Sequence, residues 1–583
     1  MEWYHRMNVS ALDRLQKTVE FVYGEKAPPL FQRIQALLQA ERLGPGTASF
    51  TEGDALLITY GDIFRPPGNP SEGAPGRGTS SEGGLPILTA FLQRWNRHFT
   101  YVHLLPFHPY SSDDGFSVID YGSVDRRIGT WDDIANLGKR LNLAFDLVIN
   151  HGSAQSSAFR AFLRNEEPYA HWFITKPKDY DASTVVRPRT HPLLTPFIRE
   201  DGSTVYVWTT FSADQVDYDF SNPDVLIAFI RVFLDFIHRG AKIIRLDAIA
   251  YLWKEDGTPC LHHPKTHGVV KIFRAIIDAL ELDVTILTET NVPHRENISY
   301  YGQGDEAHMV YNFALPPLVL HAAVSGDPEP LRRWASSLPP PGEGPIFLNF
   351  LASHDGVGLT PAMDLIDPRD FAGTLEEAQR RGALVSYKAT GQGSIPYELN
   401  CSYLSVTAPP ELGSVELRSR LFLTTQGVLL SLAGLPAVYI HSWIGSEQWK
   451  EGPSLLGYNR AINREKPPVD RVEGELEQAG SLRSIIYHGF SRLQEFRSRE
   501  GAFSALAGQT VVPSTGSLFA LLRGPDPAGR RVLCLFNFGA QPTQLEIPAM
   551  VGPPLEGTTE RLAPYQSRWI AYGGTRATEY LEI

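Results

Sequence analysis

Cysteine is scarce in this chain: three occur among 583 residues, at Cys260, Cys401 and Cys534. They lie far apart, and none belongs to a Cys-x-x-Cys pair. The sequence therefore does not support a disulfide framework or a structural zinc site. A chain of this length can instead be stabilised by its hydrophobic core.

A long apolar run and an excess of basic residues are also missing. No uninterrupted apolar stretch reaches the roughly 18 residues that a membrane helix requires. Glu2, Arg6 and Asp13 interrupt the segment where a signal peptide would be apolar, so we expect a cytoplasmic protein without membrane contact. The net charge of -12 argues against nucleic-acid binding, which usually needs a basic patch.

Short apolar runs typical of buried strands recur eight times, separated by helical segments. The runs are 55–60, 101–105, 143–150, 241–247, 284–289, 308–313, 346–351 and 437–440. This alternation predicts an α/β fold, a (β/α)8 TIM barrel. Unequal spacing predicts inserted subdomains after the third and seventh strands. Short strands without helices near the C-terminus predict an all-β domain there.

The pattern divides the chain into seven segments. A helical N-terminal extension (1–50) precedes three barrel parts (51–151, 221–356 and 416–496), two inserted domains (152–220 and 357–415) and a C-terminal β domain (497–583). The Gly-, Pro- and Ser-rich segment 65–84 is predicted to be a mobile loop.

Three acids stand at the ends of predicted strands: Asp247, Glu289 and Asp355. Strand ends meet at the mouth of a barrel, where active sites form. A single acid in this position is more often a helix N-cap or an ion-pair member. Three of them at one mouth favour exchange of a glycosidic bond, which needs paired carboxylates.

The two roles in that chemistry need different environments. Arg245 lies two residues before Asp247 on the same strand face, so it is expected to keep Asp247 ionised as the nucleophile. Glu289 has no adjacent cation, and a raised pKa suited to a general acid/base is expected there. His151 and His354 follow other strands. His151 fits a structural histidine as well as a ligand of a sugar hydroxyl.

Four segments, 146–151, 245–247, Glu289 and 354–355, resemble the signature regions of the alpha-amylase family, glycoside hydrolase family 13. The resemblance implies that Asp247 is the nucleophile, Glu289 the acid/base and Asp355 the third acid, which grips sugar hydroxyls. It gives supporting positions to Arg245, His151 and His354. No cofactor and no metal is implied, although Asn150 matches a position that holds calcium in some amylases.

A narrower resemblance, to sucrose phosphorylases, rests on segments 103–116, 187–189, 310–318 and 459–464. It implies that Asp113 binds glucose hydroxyls, that Phe116 stacks on the sugar ring, and that Arg460 or Arg464 pairs with Asp113. Tyr251, Asn291 and Arg464 are further predicted substrate-binding residues. Arg187 and Arg189 would bind phosphate, since two planar cations suit this anion; solvated loop charges are the alternative.

Asn291 stands where sucrose phosphorylases carry a histidine, which points to a different acceptor. Together with Trp253 and segment 189–197, it makes the chain resemble glucosylglycerate and glucosylglycerol phosphorylases more closely. Glycerate would need an extra cation, for which Arg189, His191, Lys254 and His294 are candidates.

The resemblance thus implies a retaining alpha-glucoside phosphorylase that acts on a small glucoside, best glucosylglycerate, and inorganic phosphate. Glucosylglycerol, sucrose or sucrose 6'-phosphate as substrate, a hydrolase or transglucosidase, and a non-catalytic binding subunit remain alternatives. Whether the protein is a monomer or a homodimer is open.

Overall fold

The computed structural model describes residues 8–68, 84–189, 191–342, 344–390 and 393–583. Most of the predicted loop 65–84 and the charged residues Glu2 and Arg6 therefore lie outside the described residues, as does residue 190 of segment 189–197.

A closed barrel of eight parallel strands forms the centre of the protein. Its strands are β1 (Leu56–Thr59), β2 (Tyr101–Leu104), β3 (Asn142–Val148), β4 (Ala241–Asp247), β5 (Thr285–Thr288), β6 (Met309–Tyr311), β7 (Ile346–Asn349) and β8 (Leu435–Tyr439). Strands adjacent in the chain are paired, and β8 pairs with β1 to close the barrel. The strands are buried on both faces, which explains their continuous apolar runs. The predicted barrel is confirmed.

Helices cover the barrel and return the chain from each strand to the next. The longer ones are Leu85–Trp95, Trp131–Gly138, Pro223–His238, Pro264–Leu280, Leu315–Ser325, Glu329–Ser337, Val415–Ser431, Val469–Glu477 and Leu482–Arg497. Their starts carry expected signals, such as the Thr130 capping box with Asp133 and the proline that opens Pro264–Leu280. Short helices at His294–Ile298, Ile440–Trp443 and Gly452–Leu456 lie in the loops at the mouth.

The insertions lie after β3 and β7, as predicted. The first contains helix Ser157–Leu163 and two antiparallel strand pairs, His151–Ser153 with Gln215–Asp217 and Leu194–Ile198 with Thr204–Trp208. The second contains helices Pro368–Arg380 and Tyr403–Thr407. It also holds a three-stranded sheet of Val357–Gly358, Gly393–Asn400 and Leu384–Thr390. We name the pair Leu384–Thr390 and Gly393–Asn400 the inserted hairpin. The limits of the seven predicted segments stay predictions.

Further helices precede the barrel in the chain, and further strands follow it. Helices Val9–Tyr23 and Ala27–Ala40 precede it, and the first packs on Pro264–Leu280. A five-stranded antiparallel sheet follows it, made of Gln509–Val511, Leu518–Arg523, Arg530–Asn537, Ser567–Gly573 and Glu579–Glu582, with a separate pair Thr543–Glu546 and Thr559–Leu562. The predicted C-terminal β structure is therefore confirmed. Arg523 ties it to the barrel because its guanidinium donates to the Ser431 carbonyl at 2.6 Å.

Within the described ranges, we find no helix whose length and apolar character would let it cross a membrane.

Candidate active site

The three predicted acids converge on the carboxyl-terminal mouth of the barrel. Asp247 is the last residue of β4, Glu289 directly follows β5, and Asp355 lies in the loop after β7. The backbone N–H of Ala248, next to Asp247, donates to Oε2 of Glu289 at 3.1 Å. The first two acids therefore lie side by side, as the sequence predicts.

Arg245 is the cation at the centre of this site. Its Nη1 donates to Asp247 Oδ1 at 2.6 Å and also contacts Asp146 Oδ1. Asp146 in turn accepts from Nε2 of His103 at 2.7 Å. All four side chains are buried, so this chain of charges fixes the orientation of Asp247.

Arg245 forms a salt bridge with Asp247, in the position that the sequence indicates. Burial raises the pKa of Asp247 above its ordinary value, because β4 ends in a pocket that desolvates its carboxylate, while the charges of Arg245 and His151 act against this shift. That Asp247 is the ionised nucleophile stays a prediction.

The pKa of Glu289 is displaced as well. Burial is the main cause that raises this pKa to about 7. The positive charge of Arg245 lowers it, and the negative charges of Asp247 and Asp355 raise it. Two neighbouring carboxyls that interact in this way titrate as a pair, in which one stays protonated while the other is ionised. The site therefore offers one carboxylate and one carboxylic acid close to neutral pH.

Asp355 is held by arginines from the segment after β8. Arg460 Nη1 contacts its Oδ1, and Arg464 Nη2 lies 3.6 Å from the same atom. Arg460 also donates to both oxygens of Glu398, at 3.0 and 2.7 Å. Burial would raise the pKa of Asp355, but the charges of Arg460, His354 and Arg464 outweigh it and hold this pKa well below its ordinary value.

The predicted pairing of Arg460 or Arg464 with Asp113 is wrong. Arg464 Nη1 pairs with Asp114 Oδ2 at 2.6 Å, and the Tyr458 hydroxyl donates to the same oxygen at 2.6 Å. Asp113 is exposed and accepts from Gln215 Nε2 at 3.3 Å. Both aspartates adopt left-handed backbone conformations, φ 53° and 48°. The pattern of residue types does not predict this left-handed turn. The turn determines that the carboxylate of Asp114, and not that of Asp113, faces Arg464.

His151, Phe116 and His354 lie together, as predicted. His151 Nε2 is 3.0 Å from the Phe116 carbonyl oxygen, and the Phe116 ring stacks on His354 with centroids 4.9 Å apart. Burial lowers the pKa of His354 to about 3, so its imidazole is neutral near pH 7. Their predicted contacts with a sugar stay predictions.

The remaining predicted residues border this cluster. Arg189 lies 5.7 Å from the ring centroid of Tyr397. Tyr251 meets Phe211 edge to face at 5.4 Å. The Asn291 side chain borders Gly358 so closely that a methyl group on Gly358 would lie 2.6 Å from its Oδ1. Arg187 is partly buried, and neither it nor Arg189 has an ion-pair partner in the part of the chain that the structure describes.

Several residues at the site escaped sequence reasoning. Glu398 and Tyr397 lie on the inserted hairpin, more than forty residues from any predicted acid, and only tertiary structure brings them to the mouth. Gln215, which lies 3.1 Å from His151 Nε2, is 64 residues from that histidine in the chain. His103 and Asp146, which contact each other, lie on β2 and β3 within segments that the resemblance had singled out. The alternation of side-chain direction along each strand could have identified them.

Lys254, a predicted acceptor cation, is bound by buried polar groups of the protein itself. Its Nζ is 2.6 Å from Asp217 Oδ2 and donates to Asn150 Oδ1 at 2.7 Å, and both partners are buried. The ammonium thus joins the end of β3, the first insertion and the loop after β4. Asn150 has a lysine as its cationic partner here. The predicted absence of a metal stays a prediction.

The comparisons with known proteins agree with this geometry. A family model described as alpha amylase, catalytic domain, matches residues 98–329. A glucosylglycerate phosphorylase of Spirochaeta thermophila is 45% identical over 537 residues, covering 90% of this chain and 89% of the relative. Another, from Allomeiothermus silvanus, is 40% identical over 556 residues, with coverages of 94% and 97%.

A solved structure shares the fold across nearly the whole chain. The sucrose 6F-phosphate phosphorylase from Thermoanaerobacter thermosaccharolyticum superposes with a TM-score of 0.74 at 22% identity, covering 91% of this chain and 98% of that one. The barrel and its strand-end acids define a protein of the glycoside-hydrolase type. The chain belongs to the alpha-amylase family, glycoside hydrolase family 13, in the group related to sucrose phosphorylases.

Replacement of Lys254 by Met is expected to destabilise the protein. The change leaves the buried carboxylate of Asp217 without its cation, which costs about 3–5 kcal/mol in comparable cases. The double variant Lys254→Met/Asp217→Asn removes both charges and is expected to lose less. Thermal and denaturant unfolding of the three proteins measure this. A single variant as stable as the double variant would contradict the assignment of this ion pair.

Proposed function

We propose that the protein is a retaining phosphorylase that transfers the glucosyl group of 2-O-alpha-glucosylglycerate to inorganic phosphate, releasing glycerate and alpha-glucose 1-phosphate. The observation that carries this proposal is the adjacent pair of Asp247 and Glu289, in which the pKa of Glu289 is raised to about 7. The glucosylglycerate phosphorylases at 45% and 40% identity support the choice of substrate.

In the first step, Asp247 attacks the anomeric carbon while the bond from that carbon to the glycerate oxygen breaks. Glu289 gives its proton to this oxygen, so that glycerate leaves as an alcohol. The product is a covalent beta-glucosyl ester on Asp247. Arg245 supports this step because it orients the Asp247 carboxylate from one side, at 2.6 Å, and leaves the rest of it to the sugar.

In the second step, phosphate enters on the side that glycerate has left. A phosphate oxygen attacks the anomeric carbon, the ester bond to Asp247 breaks, and Glu289 accepts the phosphate proton. Two inversions restore the alpha configuration. Arg187 and Arg189 are the proposed phosphate ligands. Their guanidinium groups have no carboxylate partner among the described residues, so they are available to bind an incoming phosphate anion.

The other predicted residues would hold the glucosyl ring. We assign Asp355 to its hydroxyls, because its lowered pKa keeps it an acceptor at all working pH values. The further residues assigned to the ring are Asp113, Phe116, His151, Arg245, Tyr251, His354 and Arg464, and Asn291 is assigned to the acceptor. We also propose a cytoplasmic protein whose partners are the glucoside and phosphate alone, without nucleic acid or membrane, acting as a monomer or a homodimer.

The direct test of this function is product formation with and without phosphate. The purified protein is incubated with glucosylglycerate, and glucose 1-phosphate and free glucose are quantified. We expect glucose 1-phosphate to form only with phosphate and free glucose to stay a minor product. Free glucose at equal rates in both incubations would identify a hydrolase instead. A parallel run with glucosylglycerol, sucrose and sucrose 6'-phosphate ranks the substrates.

The role of Glu289 predicts an alkaline limit of activity. The first step needs Glu289 protonated, and its protonated fraction falls as pH rises through its pKa of about 7. The kcat/KM for glucosylglycerate is therefore expected to fall about tenfold per pH unit above that value. Phosphate ionisation does not enter this parameter, because phosphate binds after the first step.

The matched control is alpha-glucosyl fluoride, whose leaving group needs no proton. Its kcat/KM is expected to lack the alkaline limb and to survive the Glu289→Gln substitution, whereas turnover of glucosylglycerate should drop by orders of magnitude. The same alkaline limb with both substrates would assign the proton to another group.

A further inference from the structure

The inserted hairpin borders the part of the site next to Glu289. Asn291, two residues after Glu289, borders Gly358, and Gly358 pairs with Glu398 of the hairpin. Tyr397 precedes Glu398; burial raises its pKa to about 12, and the charges of Arg189, Glu398, Arg460 and Glu289 also act on it. A group that leaves the anomeric carbon towards Glu289 therefore moves towards this hairpin.

Glycerate brings a negative charge into that space. Its carboxylate is bonded to the same carbon as the leaving oxygen, so it lies only a few ångströms from the Glu289 carboxyl during the reaction. Asp247 and Asp355 are also near, and a third anion beside them requires a cation within reach.

Three of the four cations predicted for this purpose are already engaged elsewhere. Lys254 is bound to Asp217 and Asn150. His191 Nε2 lies 2.9 Å from the Thr209 carbonyl oxygen, and burial together with Arg187 and Arg189 lowers its pKa. His294 stacks on Phe347 with centroids 5.9 Å apart, and burial lowers its pKa as well. Only Arg189 remains, and the phosphate proposal already uses it.

Lys388 meets the requirement. It lies on the hairpin strand Leu384–Thr390 opposite Ile395, and the register shift next to it in the hairpin leaves Tyr397 outside the regular pairing. Its Nζ is 5.7 Å from the Tyr397 ring centroid, the same distance as the Arg189 guanidinium carbon. It is partly buried, and it has no ion-pair partner among the residues described by the structure.

Burial lowers the pKa of Lys388, and Glu296 opposes this shift only in part. A partly desolvated ammonium without a partner gains more from an arriving carboxylate than a fully solvated one does. Aromatic contact with Tyr397 restricts the long side chain and keeps the ammonium at the mouth.

We propose that Lys388, held against Tyr397 on the inserted hairpin, binds the carboxylate of the acceptor and thereby selects an anionic acceptor over a neutral polyol. This inference rests on the proposed function and adds a specificity-determining residue to it. Arg189, which also lies next to the Tyr397 ring, then binds phosphate. Glycerate and phosphate, which occupy this subsite in turn, would each have their own cation.

The test runs the reaction in reverse, with saturating alpha-glucose 1-phosphate and either glycerate or glycerol as acceptor. Phosphate release gives kcat/KM for each acceptor in the unsubstituted protein and in Lys388→Met. We expect the value for glycerate to fall at least about tenfold and the value for glycerol to stay within about twofold. The KM for phosphate in the forward direction should stay unchanged.

Two further variants complete the design. Lys388→Arg keeps the charge and should keep most of the preference for glycerate. Lys139→Met removes an exposed lysine at the C-terminal end of helix Trp131–Gly138, on the opposite face of the barrel, and should change neither acceptor.

Each outcome decides a separate point. Equal losses with both acceptors in Lys388→Met, or no loss with glycerate, would overturn the role of Lys388 and leave the proposed function intact. An unsubstituted protein that uses glycerol but not glycerate would overturn both proposals.

Discussion

The guanidinium of Arg245 joins two buried carboxylates, Asp146 and Asp247, and the rest of the site depends on this junction. Three charges at the ends of adjacent strands are tolerable in a low-dielectric pocket only when they are paired and oriented. β3 and β4 run in register, with Asp146 opposite Arg245, so the barrel itself sets the geometry. Asp247 can then face the mouth of the barrel while Arg245 binds one of its carboxylate oxygens.

A second buried network holds the opposite wall. Arg460 connects Asp355 to Glu398, so an acid from the loop after β7 is fixed by the segment after β8 and by the inserted hairpin. The hairpin therefore does more than cover the site. Through Glu398 and Arg460 it is linked to Asp355, and it carries Tyr397 with Lys388 beside it. With the proposed role of Lys388, one insertion would adjust the choice of acceptor while the barrel keeps the chemistry unchanged.

Much of this could be predicted from sequence because strand ends are local features. An apolar run with an acid at its tip predicts both a strand and the side of the barrel on which the acid lies, and this located Asp247 and Glu289. Contacts between distant segments leave no such local pattern. The choice of Asp114 over Asp113 depends on a left-handed turn, and the role of Glu398 depends on a hairpin whose packing is set by tertiary structure.

The ionisation of the acids could be predicted from the sequence only in part. Sequence showed Arg245 beside Asp247, but the depth of the pocket is not a local property, and burial proved the larger influence on Asp247 and on Glu289. The proposed mechanism gives the shared proton to Glu289, whose pKa is raised to about 7.

The central claim is that Asp247 becomes covalently glucosylated. It is tested most directly by trapping the intermediate in Glu289→Gln, which lacks the base for the second step, with alpha-glucosyl fluoride and no phosphate. Acid quenching, proteolysis and mass spectrometry then locate the label. The account predicts one glucosyl unit on the peptide that contains Asp247. Fluoride release without any labelled peptide, or a label on a different carboxylate, would contradict it.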